Sequence, residues 1–190
     1  NLVLLKYQIN PHFLFNTLHN IDTLIHDNQD KASKSLVKLS DIMRYMLNDT
    51  KTDFVDLQNE IDYLENYFSL ESLRLKNEKF FNYSIVGSPK GFKIAPMILI
   101  PFVENAFKHA VDSSIENGIT IKIAIEHNML IFDCENQYDK SESDKDKTRG
   151  IGLETVQKRL DLIYNNKHRL IINSENSIFK VKLELELNEN

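Results

Sequence analysis

The sequence predicts an α+β protein in which a helical region precedes a two-layer α/β sandwich, and three observations lead there. Glycine and proline are almost absent from the first part, where Pro11 stands alone, whereas all five glycines and the other three prolines lie from Gly87 onward. Apolar residues in the first part recur at steps of three and four, the period of a helix face. After Lys79 they alternate with polar residues, the period of a strand with one buried face. The break divides the chain into a helical region, 1–78, and a sandwich, 79–190.

Leu14, Leu18, Ile21 and Ile25 mark the face of a first helix. Leu36, Leu39, Met43 and Met46 mark a second, and Phe54, Leu57, Ile61, Leu64 and Phe68 a third, with breaks at Asp27 to Asp30 and Asp49 to Asp53. So short a helical region buries little core alone, and its spacing suits a bundle seam, so a homodimer is expected. Strands follow at Phe81–Ile85, Ile119–Ile125, Leu130–Cys134 and Phe179–Leu187, with helical windows at Pro96–Ala110 and Leu153–Tyr164. The charged run from Gln137 to Arg149 has too little to bury and reads as a mobile loop.

Composition excludes several classes. With 23 basic and 28 acidic residues the net charge is −5, which argues against a duplex-DNA binder and gives no direct nucleic-acid partner. The one cysteine, Cys134, excludes a disulfide framework and a Cys-rich zinc site. The longest apolar run, Ile94 to Val103, is broken by two prolines and is far shorter than the roughly 20 residues of a membrane span. The chain opens on Asn1 without an initiator Met, so an excised piece of a longer protein is expected.

Three groups of residues could carry chemistry. His12 points about 160° from the Leu14 stripe at about 100° per residue, and Asn16 lies on its side of the helix. Pro11, lacking an N–H, should start or kink the helix there. An exposed neutral imidazole can act as a nucleophile, although taken alone it reads more readily as a surface histidine. His19 and His26, at steps of seven, suit solvated positions better than a zinc site. Asn105, Lys108 and His109 share a second helix face: an amide oxygen can ligate magnesium, while an ammonium and an imidazole meet phosphate oxygens. A plain polar helix face fits them as well. Arg149-Gly150-Ile151-Gly152-Leu153 opens a helix, where glycines let backbone N–H groups approach phosphate, although a loop-to-helix connection has the same look. No dinucleotide or P-loop fingerprint is present.

Taken in order, these segments resemble a known family. Gln8-Ile9-Asn10-Pro11-His12-Phe13-Leu14-Phe15-Asn16-Thr17-Leu18 resembles the phosphoacceptor box of LytS-type sensor histidine kinases of bacterial two-component systems. Pro101 to His109 is similar to their N box, and Arg149 to Leu153, with Val156 and Arg159-Leu160, to their glycine box. The resemblance implies a dimeric phosphotransfer region and a Bergerat-type ATP-binding domain of the GHKL class. It implies ATP and Mg2+ as cofactors, with Asn105 as the metal ligand, Lys108 and His109 facing phosphates, and Arg149, Gly150, Gly152 and Leu153 at the hinge of a lid. His12 would attack the γ-phosphate and pass the phosphoryl group to an aspartate of a response regulator receiver domain. Asn16 would assist at the phosphoryl group. A membrane sensor would precede the chain, making it the cytoplasmic portion of a bacterial plasma membrane protein.

Two departures stand out. Where many relatives carry an acidic residue and glycines for adenine, this chain has Phe132-Asp133-Cys134-Glu135-Asn136-Gln137; alternation turns Asn136 inward and makes it the adenine candidate. Its amide is a weaker acceptor than a carboxylate, which predicts weaker ATP binding. Phe13 occupies the place of an acidic residue found after the histidine in other families, leaving the group that handles the imidazole proton unassigned. Pro101 stands where ATP-hydrolysing relatives keep a catalytic Glu, which favours transfer to His12 over transfer to water. The competing reading is a degenerate kinase that serves as a dimeric scaffold or partner-binding module.

Overall fold

Helix α1 (Pro11–Asp27) leads into α2 (Gln29–Asn48), β1 (Val55–Asp56) and α3 (Leu57–Glu71); then follow β2 (Phe81–Val86), β3 (Phe92–Ile94), α4 (Ile100–His109), β4 (Ile119–Glu126), β5 (Met129–Gln137), α5 (Arg149–Ile163), β6 (His168–Glu175), β7 (Ile178–Glu186) and β8 (Asn188–Glu189). The computed structural model describes residues 10–110, 115–138 and 149–189. The apolar start of the chain and most of the charged run, 139–148, lie outside the described residues.

The main sheet has the order β2-β4-β5-β7-β6. Strands β2 and β4 are parallel and the other pairs antiparallel. Period-two alternation sends Ile119, Ile121, Ile123 and Ile125 of β4, Leu130, Phe132 and Cys134 of β5, and Val181, Leu183 and Leu185 of β7 to one buried face. Lys180 and Glu135 pair at 2.9 Å on the other face. Helix α4 lies on the buried face through Phe102 and Ala106, and the Phe102 ring meets Phe132 at 6.0 Å between centroids. Burying such a side chain contributes roughly 1.5–3 kcal/mol. Burial also raises the Cys134 thiol to about 12, so it stays protonated.

A small second sheet, β1-β3-β8, spans the compositional break by pairing Val55 with Ile94 and Lys93 with Asn188. Several expected boundaries shift. The first break between helices, expected at Asp27 to Asp30, narrows to Asn28, whose side chain caps α2 by accepting from Lys31 N at 2.9 Å. Helix α4 starts at Ile100 rather than Pro96, because residues 95–99 form a buried turn in which Met97 takes a positive φ of 55°. Gln137 continues β5 and Tyr138 is buried, its hydroxyl 2.5 Å from Ser174, so these two residues are not part of the mobile loop expected there. Strand β6 was not expected at all. It is an edge strand, mostly exposed or half-buried.

The stripes on α1 and α2 also need correcting. Within the chain, α1 buries Phe13, Thr17 and Ile21, and α2 buries Ala32, Ser35, Leu39, Ile42 and Tyr45. Leu18, Ile25 and Leu36, assigned to the core from spacing, are exposed at 44%, 47% and 54%. The helices have two apolar faces, and spacing alone does not say which one is buried against the same chain.

The turn before α4 is held by three side chains. Glu60, fully buried on α3, accepts from Met97 N at 2.9 Å and from the Tyr45 hydroxyl at 2.5 Å. The Tyr164 hydroxyl accepts from Ala95 N at 2.7 Å, and Arg159 donates to the carbonyls of Pro96 and Met97 at 2.5 and 3.3 Å. Buried backbone groups need such partners. Desolvation raises the Glu60 carboxyl above its ordinary 4.5, opposed by hydrogen bonds from Tyr45 and the backbone and by Arg159. The native state therefore binds this proton more tightly than the unfolded chain does. Its contribution to stability is greatest below pH 4.5 and declines as pH rises toward the raised folded value. Comparing urea unfolding of wild type and Glu60→Gln at about pH 4 to pH 8 should show this decline in wild type and its absence in the variant.

Candidate active site

Helix α1 begins where its sequence says it should. Asn10 is the N-cap, its Oδ1 accepting from Phe13 N at 3.3 Å, and Pro11 occupies the first turn, where a missing N–H costs nothing. This places His12 in the first turn with its side chain exposed. Asn16, one turn on, has its amide nitrogen 3.1 Å from Nδ1 and 3.3 Å from Nε2 of the ring. His19 and His26 are exposed, and no group of three metal-ligating residues occurs among the described residues.

A cavity of about 510 Å³ opens between α1, α3, α4 and the start of α5. His12 and Asn16 line one side; Asn105, Lys108 and His109 of α4 line another, with Gly152 and Leu153 of α5. The structure thus brings together residues from the three sequence segments. Arg149 and Gly150 form the start of α5, so the glycine pair lies in the first helical turn and not in a preceding loop. A Cβ at Gly152 would meet nothing within 4 Å. Its backbone faces open space, as close approach of a phosphate requires.

Asn136 is not part of this cavity's lining. It sits on the inner face of β5 between Ile119 of β4 and Phe179 of β7, 2% exposed. Its Nδ2 donates to the Gln137 carbonyl at 3.2 Å, while its Oδ1 is buried without a hydrogen-bond partner among the described residues. A buried acceptor left open in this way suits an incoming N–H donor.

Other lining residues had no role assigned from sequence, among them Tyr67, Glu71, Arg74 and Glu104. Arg74 contacts Glu71, lies 5.9 Å from the Phe107 ring centroid and donates to the Phe107 carbonyl at 3.4 Å, near the end of α4. Glu104 accepts from Asn10 Nδ2 at 3.2 Å. Burial raises its carboxyl, the Asn10 hydrogen bond lowers it and Glu71 raises it. Its position beside Asn105 was visible in the motif; its tie to Asn10, 94 positions away, was not. Phe13 stacks on Tyr67 at 4.5 Å and 23°, and Tyr67 meets Phe107 edge-on at 6.2 Å.

A helix carrying an exposed histidine thus borders a cavity that it shares with a helix resting on a mixed sheet. A histidine kinase family model matches residues 1–80 and a GHKL domain model residues 94–186, so the chain carries a histidine kinase segment followed by a GHKL domain. Among curated relatives, the sensor protein LytS of Streptococcus agalactiae serotype V is 31% identical over 189 residues, 93% of this chain and 32% of that protein. LytS of Staphylococcus saprophyticus is 26% identical over 183 residues, 90% of this chain and 31% of that one. The chain therefore spans about a third of the length of these relatives. Among solved structures, the Acinetobacter baumannii histidine kinase AdeS is similar with 15% identity and a TM-score of 0.48, covering 96% of this chain and 88% of that one.

Phe13→Ala should lower stability by about 3 kcal/mol, since it removes a buried ring from the Tyr67 stack. The midpoint of urea unfolding reads this directly; an unchanged midpoint would mean that the α1 contact is not formed in solution.

Proposed function

We propose that the protein is an ATP-dependent protein histidine kinase that phosphorylates His12 and passes the phosphoryl group to an aspartate of a response regulator receiver domain. One observation carries this reading: His12 shares a cavity with Asn105, Lys108, His109 and Gly152 of the same chain. A ring nitrogen of His12 forms the N–P bond while the bond between the γ-phosphorus and its bridging oxygen breaks. ADP leaves with that electron pair, and the surplus ring proton departs to solvent, which the exposed His12 can reach. Asn16 holds the imidazole in orientation through its 3.1 Å contact. Lys108 and His109 offset the phosphate charge, so most of the catalysis is positioning and electrostatics.

The amide oxygen of Asn105 offers a hard oxygen donor of the kind magnesium takes. When bound, the ion would neutralise charge on the phosphates. The open Oδ1 of Asn136 supports its role as acceptor for the adenine amino group, and the first turn of α5 supports roles for Arg149, Gly150, Gly152 and Leu153 beside the phosphates. In this reading residues 1–78 form the phosphotransfer region and 79–190 the catalytic domain. Exposed Leu18, Ile25 and Leu36 support a homodimer through the helices. No described helix is long and apolar enough to cross a membrane; a membrane sensor would belong to sequence outside this chain, which would be the cytoplasmic part.

The neutral Asn136 in the adenine position favours one alternative, a scaffold that binds nucleotide weakly and transfers nothing. Incubation with γ-labelled ATP separates the two. The kinase reading expects acid-labile label on the protein, absent in His12→Ala and reduced at least about a hundredfold in Asn105→Ala. A wild type that binds nucleotide but acquires no label would leave the scaffold.

A further inference from the structure

We infer that Asn10 and Glu104 form a latch by which each chain seats its own phosphoacceptor helix over its own nucleotide site, so that phosphoryl transfer to His12 runs within one chain. This rests on the proposed kinase function and adds to it the positioning residues and the direction of transfer.

The Asn10 side chain has two uses at once. Its Oδ1 caps α1 through Phe13 N, and its Nδ2 donates to Glu104 Oε1 at 3.2 Å. Glu104 directly precedes Asn105 on α4. The residue that fixes where the His12 helix starts is thereby tied to the helix that carries the proposed magnesium ligand. A second contact repeats the connection on the apolar side, from Phe13 through Tyr67 to Phe107. His12 lies between these two anchors in sequence, and its side chain lines the cavity that both helices border. Phe13 is thus occupied in docking, which accounts for an aromatic residue beside the histidine. Three ionisable groups surround the carboxylate: Glu71, itself in contact with Arg74, and the hydroxyls of Tyr63 and Tyr67, both raised by burial and by Glu104.

A positioning role predicts a specific kinetic pattern in the full-length protein. Glu104→Ala and Asn10→Ala should slow maximal His12 labelling about tenfold to a hundredfold while the KM for ATP stays unchanged. Glu104→Gln keeps an amide oxygen able to accept from Asn10 and should label within about threefold of wild type. Unfolding midpoints confirm that each variant is folded. A Glu104→Gln rate as low as that of Glu104→Ala would overturn the latch in favour of carboxylate chemistry, and a KM that rises in step would overturn it in favour of nucleotide binding. The direction of transfer is read from mixed dimers of His12→Gln and Asn105→Ala subunits. Transfer within one chain leaves the Asn105→Ala subunit at the level of its own homodimer; label above that level overturns the inference. A wild type that binds ATP and never labels overturns the kinase function itself, an outcome distinct from any difference among these variants.

Discussion

The placement of the site depends on a buried turn that water cannot reach. Residues 95–98 carry backbone groups that leave the sheet before α4 begins, and Met97 holds an unfavourable positive φ there. Glu60 of α3, Arg159 of α5 and Tyr164 just after α5 satisfy those groups. Because α4 starts three residues after Met97, the direction of Asn105, Lys108 and His109 follows from how that turn is pinned. Tyr45 extends the same network into α2 through Glu60. The helical region and the sandwich therefore share a polar centre, and a rearrangement of α2 against α3 has a physical route to the cavity.

The cavity itself is built asymmetrically. Its floor is rigid, with α4 resting on the inner sheet face through Phe102 and Ala106. Among the described residues, the α1 side meets α3 and α4 through a part-buried hydrogen bond and an aromatic stack, worth about 1 kcal/mol and about 0.5–1.5 kcal/mol beyond simple burial. Contacts of that size hold a helix in place and still let it leave. Under the proposed function, in which His12 faces first a nucleotide and then a second protein, such a balance is useful.

Much of this was legible in the chain before any coordinates. The three long inner strands announced themselves because alternating Ile, Leu and Val residues have no other simple explanation. The shared helix face of Asn105, Lys108 and His109 followed from helical spacing. What failed did so for identifiable reasons. Strand β6 is an edge, where exposed positions blur the alternation. The inward face of α1 was misassigned because Phe13 and Thr17 on one side compete with Leu18 and Ile25 on the other, and period alone treats both sides alike. The Glu104 contact was invisible because no local pattern links residues 94 positions apart.

The buried cysteine has a practical side. Cys134 is the sole thiol in the sequence, 2% exposed and held in its protonated form, so it offers electrophiles little thiolate to attack. A cysteine introduced at an exposed position would be the reactive one in the folded protein. Maleimide dyes or spin labels could then be attached at chosen points on α1 and α5 without first removing a native sulfhydryl, and their separation followed as nucleotide is added.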